Sequence, residues 1–143
     1  GQKDLYIYDE NYGTSEEKYF VKFVNNSIDK LKKKYEEVYL LRNERLFKIY
    51  RFSDGSAMEP DFVLFLKKKE SKEYMTYQLF IEAKGDDRIT NEDSKWKEVF
   101  LTEIEKESKA ELMNEDDKFK LVGMPLYNKN NDEKFIEKFN HYL

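Results

Sequence analysis

The sequence predicts an α/β fold in which a mixed sheet is flanked by helices. Apolar residues recur at three- and four-residue steps around residues 20–31, 96–104 and 135–139, the period of a helix that buries one face. Between the first two of these stretches the period falls to two. There the runs Phe62 to Leu66 and Tyr77 to Ile81 are almost wholly apolar, as strands covered on both faces are. The 143 residues contain two prolines and five glycines, with no repeat and no flexible linker, so one domain spanning residues 1–143 is expected.

Taken in order, Leu5 to Tyr8 is a short apolar run that suits a strand or the tail of an upstream linker. Gly13-Thr14-Ser15 punctuates it, and a first helix follows on Phe20, Val21, Val24, Ile28 and Leu31, ending in Lys32-Lys33-Lys34. From Val38 strands are expected, with Tyr39 to Leu41 and then Leu46, Phe47, Ile49, Tyr50 and Phe52 before the turn signal Ser53-Asp54-Gly55-Ser56. Phe62 to Leu66 and Tyr77 to Ile81 form the buried strands, joined by a lysine-rich turn. A second helix covers Asn91 to Lys109 on Trp96, Val99, Phe100 and Ile104, with Leu101 a further candidate, and Trp96 is expected in the core. Phe119 to Tyr127 returns to extended chain, and Asp132 to Tyr142 closes as a terminal helix on Phe135, Ile136 and Phe139.

Composition removes several chemistries. Cysteine is absent and the single histidine, His141, is near the end, so a Cys/His zinc site and a cysteine nucleophile are excluded and a histidine-based triad is disfavoured. Carboxylates and lysines remain. The net charge of −4 makes bulk electrostatic grip on a polyanion implausible, so any such contact is local. No run approaches eighteen apolar residues and no leader opens the chain, so neither a membrane partner nor secretion is expected, and the lack of cysteine fits a reducing cytoplasm. The start on Gly1 points to one module of a longer protein.

The most informative residues lie at the ends of the two buried strands. Pro60-Asp61 opens one and Glu82-Ala83-Lys84 closes the other. Side chains alternate along a strand, so Glu82 and Lys84 share a face, and hairpin pairing brings Asp61 beside them. Two carboxylates and an ammonium at one point suit a hard divalent cation and the water or phosphate it acts on. Asp61 and Glu82 would each give an oxygen, the Ala83 carbonyl a third, and Lys84 would orient the water or neutralise developing charge. The competing reading is an ordinary ion pair between Asp61 and Lys84 at a hairpin mouth, with Glu82 solvated. Gln78 shares the face of Glu82 and suits a strand start better than a site. Lys95 and Lys97, Lys67 to Lys69 with Lys72, and the lysines from Lys30 to Lys34 are candidate phosphate contacts or solvated faces, whereas Glu115-Asp116-Asp117 should point away from nucleic acid.

At Pro60-Asp61 and Glu82-Ala83-Lys84 the sequence resembles the PD-(D/E)xK nuclease superfamily. Together with Tyr12 to Lys18, Glu59 to Phe62, Tyr77 to Gly85 and Lys95 to Glu98, it resembles the C-terminal nuclease region of type III restriction enzyme Res subunits and related helicase-nuclease fusions, over about residues 5–142. The resemblance implies a restriction-endonuclease-like core of a helix, a three-stranded meander, a second helix and a further strand. It also implies a DNA endonuclease dependent on Mg²⁺, with Mn²⁺ able to substitute. The implied partners are DNA, a helicase motor in the same full-length protein and a modification methyltransferase subunit. No Walker-type loop is present, so ATP would act only through the motor outside this chain. A further glutamate on the first helix is implied at the metal. Glu17 is favoured over Glu16 because it precedes Phe20 and Val21 by three and four residues; the alternative is that Thr14-Ser15-Glu16-Glu17 forms a capping box that turns Glu17 to its own helix end. The alternative functions are a catalytically silent nuclease-fold domain that docks DNA or the helicase and, more remotely, a hydrolase of small phosphoesters.

Overall fold

The computed structural model describes residues 14–43, 48–50, 54–70, 72–86, 91–107, 111–112 and 117–143. The Leu5–Tyr8 run, Leu46, Phe47, Phe52, Glu115 and Asp116 lie outside them. The chain runs α1 (Ser15–Lys34), β1 (Glu37–Arg42), β2 (Ile49–Tyr50), β3 (Ala57–Met58), β4 (Phe62–Glu70), β5 (Glu73–Ile81), α2 (Glu92–Glu107), β6 (Glu111–Leu112), β7 (Asp117–Gly123) and α3 (Glu133–Phe139), with a final 3₁₀ turn over Asn140–Tyr142. Among the described residues, five strands form one mixed sheet in the order β1-β4-β5-β7-β6, and β2 pairs with β3 separately. β1, β4 and β5 are an antiparallel meander, and β7 lies parallel to β5 after the crossover through α2. The fold is thus mixed α/β with helices against both faces of the sheet.

Helix α1 follows from its sequence. Thr14 caps it, accepting the Glu17 N–H, and Lys32, Lys33 and Lys34 complement the negative end of its dipole. Its stripe of Phe20, Val24, Ile28 and Leu31 is buried against Phe62, Leu64 and Leu66 of β4, Leu79 and Ile81 of β5, and Phe135 and Phe139 of α3. Phe20 packs edge-on to Tyr127 and Phe135, so aromatic contacts tie α1 to α3. The opposite face is covered by Phe100, Leu101 and Ile104 of α2, which meet Val63, Phe80, Ile49 and Met58. Burial on both faces explains why β4 and the end of β5 read as continuous apolar runs.

Four features differ from expectation. Trp96 and Val99 are 38% and 53% exposed, because α2 turns Phe100, Leu101 and Ile104 to the sheet and leaves these two at the solvent side, with Trp96 lying against the Phe100 ring. β4 continues to Glu70, so Lys67, Lys68 and Lys69 belong to a strand rather than a turn. Regular strand ends at Gly123, and the extended run to Tyr127 continues only as a single bridge from Tyr127 to Ala83. The two-residue strand β6 has no counterpart in the sequence reading.

The spacing between α2 and the sheet is set at Gly123. A Cβ there would lie 2.0 Å from the Leu101 carbonyl oxygen. The Gly123 N–H donates to Glu105 Oε1 at 2.9 Å, and Lys138 of α3 donates to both Glu105 Oε1 and the Gly123 carbonyl. Gly123→Ala should therefore push α2 off the sheet and cost about 2–3 kcal/mol, read as a lower urea midpoint at unchanged slope. Wild-type stability in that variant would contradict this packing.

Candidate active site at the mouth of the β4–β5 hairpin

The site is built by register. Phe62 lies opposite Ile81, so the next step outward puts Asp61 opposite Glu82 just beyond the regular ladder. The two residues then exchange backbone contacts. The Asp61 N–H donates to Glu82 Oε1 at 3.1 Å, and the Ala83 N–H donates to Asp61 Oδ2 at 2.9 Å. Alternation places Phe80 and Val63 on the α2 face, and Asp61 and Glu82 follow on the same side. Asn43 binds the other side of the strand start, its N–H on the Asp61 carbonyl and its side chain on the Pro60 carbonyl.

Glu82 is 2% exposed, and its charge is met by two lysines. Lys97 Nζ of α2 lies 2.6 Å from Glu82 Oε2, and Lys84 Nζ lies 3.5 Å from the same oxygen. Both ammoniums also face Asp93 Oδ2, at 3.5 Å from Lys97 and 3.7 Å from Lys84. Burial opposes the charge of Lys97, but the hydrogen bond and charge of Glu82 outweigh it and its pKa is raised. At Asp61 a shift in the same direction disfavours the charged form. Burial first, then the Glu82 charge, lifts its carboxyl from an ordinary 3.8 to about 8, against the lowering effect of the Ala83 N–H. The competing reading, an Asp61–Lys84 ion pair with Glu82 solvated, is not what the fold builds: Lys84 pairs with Glu82 and Asp93, and Glu82 is buried.

These groups open on a cleft of about 520 Å³ lined by Thr14, Glu16, Glu17, Glu59, Asp61, Glu82, Lys84 and Lys97, among others. Glu17 reaches it while forming the capping box with Thr14, and its Oε2 accepts from Arg42 Nε at 3.2 Å. Glu16 also lines the cleft, and its Oε2 accepts the Lys129 N–H. Among the described residues no three carboxylate or histidine side chains gather around one metal-sized point. The acids brought face to face are Asp61 and Glu82. That pair suits Mg²⁺, which typically takes one or two protein carboxylates and fills the rest of its octahedron with water and phosphate oxygens.

A second backbone contact fixes Lys84. Its N–H donates to the Tyr127 carbonyl, and the Tyr127 N–H donates to the Glu82 carbonyl. The buried Asn128 side chain then bridges the Lys84 carbonyl at 2.8 Å and Asp86 Oδ1 at 2.9 Å. Neither Tyr127 nor Asn128 is prominent in the sequence, because their roles arise only when the chain after β7 returns to the end of β5. Lys97 had a usable signal: it precedes Phe100, Leu101 and Ile104 by three, four and seven residues, which puts a cation on the apolar stripe of α2.

The other lysine clusters are distant. β4 runs nine residues from the cleft to its far end, roughly 30 Å at strand rise. The Lys67–Lys72 cluster begins six residues beyond Asp61, roughly 20 Å away, and the end of α1 joins it through the Glu36 N–H on the Lys67 carbonyl. These lysines cannot touch a phosphate seated at Asp61. Lys84 and Lys97 can.

The raised pKa of Asp61 makes stability depend on pH. A folded-state value above the unfolded one favours the fold fully below about 4, and that contribution is lost as pH rises from 4 through about 8. Asp61→Asn, which keeps an oxygen for the Ala83 N–H, should thus match the wild type at pH 4. At pH 8 without metal it should melt about 3–8 °C higher. An equal melting difference at both pH values would show that Asp61 is not held against its charge.

The whole chain, residues 1–143, matches the family described as HI_1054_C: C-terminal domain. An uncharacterized protein of Haemophilus influenzae is 36% identical over 147 aligned positions, which take in 96% of this chain and 31% of the relative. The chain thus spans about a third of the relative's length. No solved structure matches it. By its full-length match and by this relative, the chain belongs to the HI_1054_C C-terminal domain family.

Proposed function

We propose that this domain is a Mg²⁺-dependent DNA endonuclease of PD-(D/E)xK type, the cleavage module of a larger restriction-like enzyme. The observation that carries the reading is the mutual seating of Asp61 and Glu82 beside two lysines in one open cleft. Metal-assisted phosphodiester hydrolysis uses a cation to polarise the phosphate and lower the pKa of its water, with a positive group where charge develops. Asp61 and Glu82 would hold the cation, with the Ala83 carbonyl as a third donor, and Lys84 would orient the water. Glu17 would act from the cleft wall only after loosening its contacts with Thr14 and Arg42.

The order of elements supports the same reading. One helix, the meander β1-β4-β5, α2 and a parallel β7 come in the order that the resemblance implies for such a core. The chain's 31% share of its relative leaves room for a helicase motor in the remainder, where ATP would act. DNA is the substrate and the modification subunit a partner on the resemblance alone.

The test is nicking of supercoiled plasmid by the full-length protein. Nicking should need Mg²⁺ or Mn²⁺, and Asp61→Ala, Glu82→Ala and Lys84→Ala should each slow it at least about a hundredfold. Full activity in all three variants would overturn the proposal.

A further inference from the structure

We infer that Lys97 is the resident counter-ion of the cation site: it neutralises Glu82 until a divalent ion binds, and then yields that oxygen. The inference rests on the nuclease reading and deepens it. Both oxygens of Glu82 are engaged, Oε1 by the Asp61 N–H and Oε2 by Lys97 at 2.6 Å and Lys84 at 3.5 Å. A cation shared with Asp61 must draw on Glu82, and the oxygen not committed to backbone is the one under Lys97. A buried carboxylate without any positive partner would be costly, so some cation has to stand there in the metal-free protein.

Two lysines meet that oxygen, and the geometry separates their roles. Lys84 belongs to the strap pinned by Tyr127 and Asn128, and its ammonium is the longer contact. Lys97 comes from another element, on a flexible four-carbon stem that carries a compact point charge. Like Lys84, it shares a second acid, Asp93, here at 3.5 Å, whose side chain is 62% exposed. Lys97 can therefore turn from Glu82 toward the cleft without losing every counter-charge. Released there, its ammonium faces the same space an anionic substrate would enter. Removing Lys97 should thus tighten cation binding and slow turnover, whereas a purely structural lysine would weaken both.

The experiment is calorimetric titration of the full-length protein with Mn²⁺ alone, beside plasmid nicking. Lys97→Gln should bind Mn²⁺ about tenfold more tightly than wild type and nick more slowly, and Lys97→Arg should keep wild-type affinity. A folded Lys97→Gln with unchanged or weaker Mn²⁺ binding would overturn the inference. If that variant fails to fold, side-chain NMR of wild-type Lys97 under Mg²⁺ titration decides it: a saturable shift of the ammonium signals supports exchange, and no shift overturns it. Wild-type Mn²⁺ binding that Asp61→Ala leaves intact, or no binding at all, would instead sink the nuclease reading and this inference with it.

Discussion

Two acids held across adjacent strand ends are the constraint on which the rest of this structure depends. Asp61 and Glu82 each bind the other strand's backbone, so they cannot separate without breaking the mouth of the hairpin. Like charges so close, and largely out of water, favour a proton or a cation between them. The surroundings answer with ammoniums from two directions, one on the strand itself and one from α2. A fold seeking stability alone would gain little from this arrangement, since apolar residues at the same positions would avoid the repulsion. Its place at the open end of an apolar sheet, on the wall of a cleft, is what makes it the candidate site.

The remainder of the fold fixes distances for that pair. The aromatic cluster of Phe20, Phe62, Tyr127, Phe135 and Phe139 locks α1 and α3 to one face, which sets Thr14, Glu16 and Glu17 along the cleft wall. On the other face, the absence of a side chain at Gly123 lets α2 lie close enough for Lys97 to reach Glu82. The return of the chain after β7 adds Tyr127 and Asn128 behind Lys84. Each element that touches the site is thus held by packing remote from it, as a preorganised site requires.

Much of this is legible in the sequence. The helical stripe of α1 and the apolar runs of β4 and β5 declare themselves because burial imposes a period, and Pro60-Asp61 with Glu82-Ala83-Lys84 marks the candidate site because charges interrupt those runs at matching ends. What is hidden depends on geometry that periodicity does not carry. Trp96 suggests core by its size, yet the rotation of α2 leaves it at the solvent side. Lys67 to Lys69 suggest a turn by their charge, yet the ladder with β5 carries them onward as strand, far from the cleft. Glu17 satisfies a helix end and faces the cleft together, so composition and spacing leave its two roles entangled. Lys97 is the instructive case, because the step to Phe100, Leu101 and Ile104 marks it but only the fold reveals which acid it meets.

Asp61 and Glu82 are proposed to grip a divalent cation together. Anomalous diffraction from a crystal soaked in Mn²⁺ tests this most directly. The account predicts a peak about 2.0–2.3 Å from one oxygen of each carboxylate, accompanied by movement of Lys97 away from Glu82. A Mn²⁺-saturated crystal with no peak between the two acids, or with the ion bound elsewhere while Lys97 stays on Glu82, would contradict it.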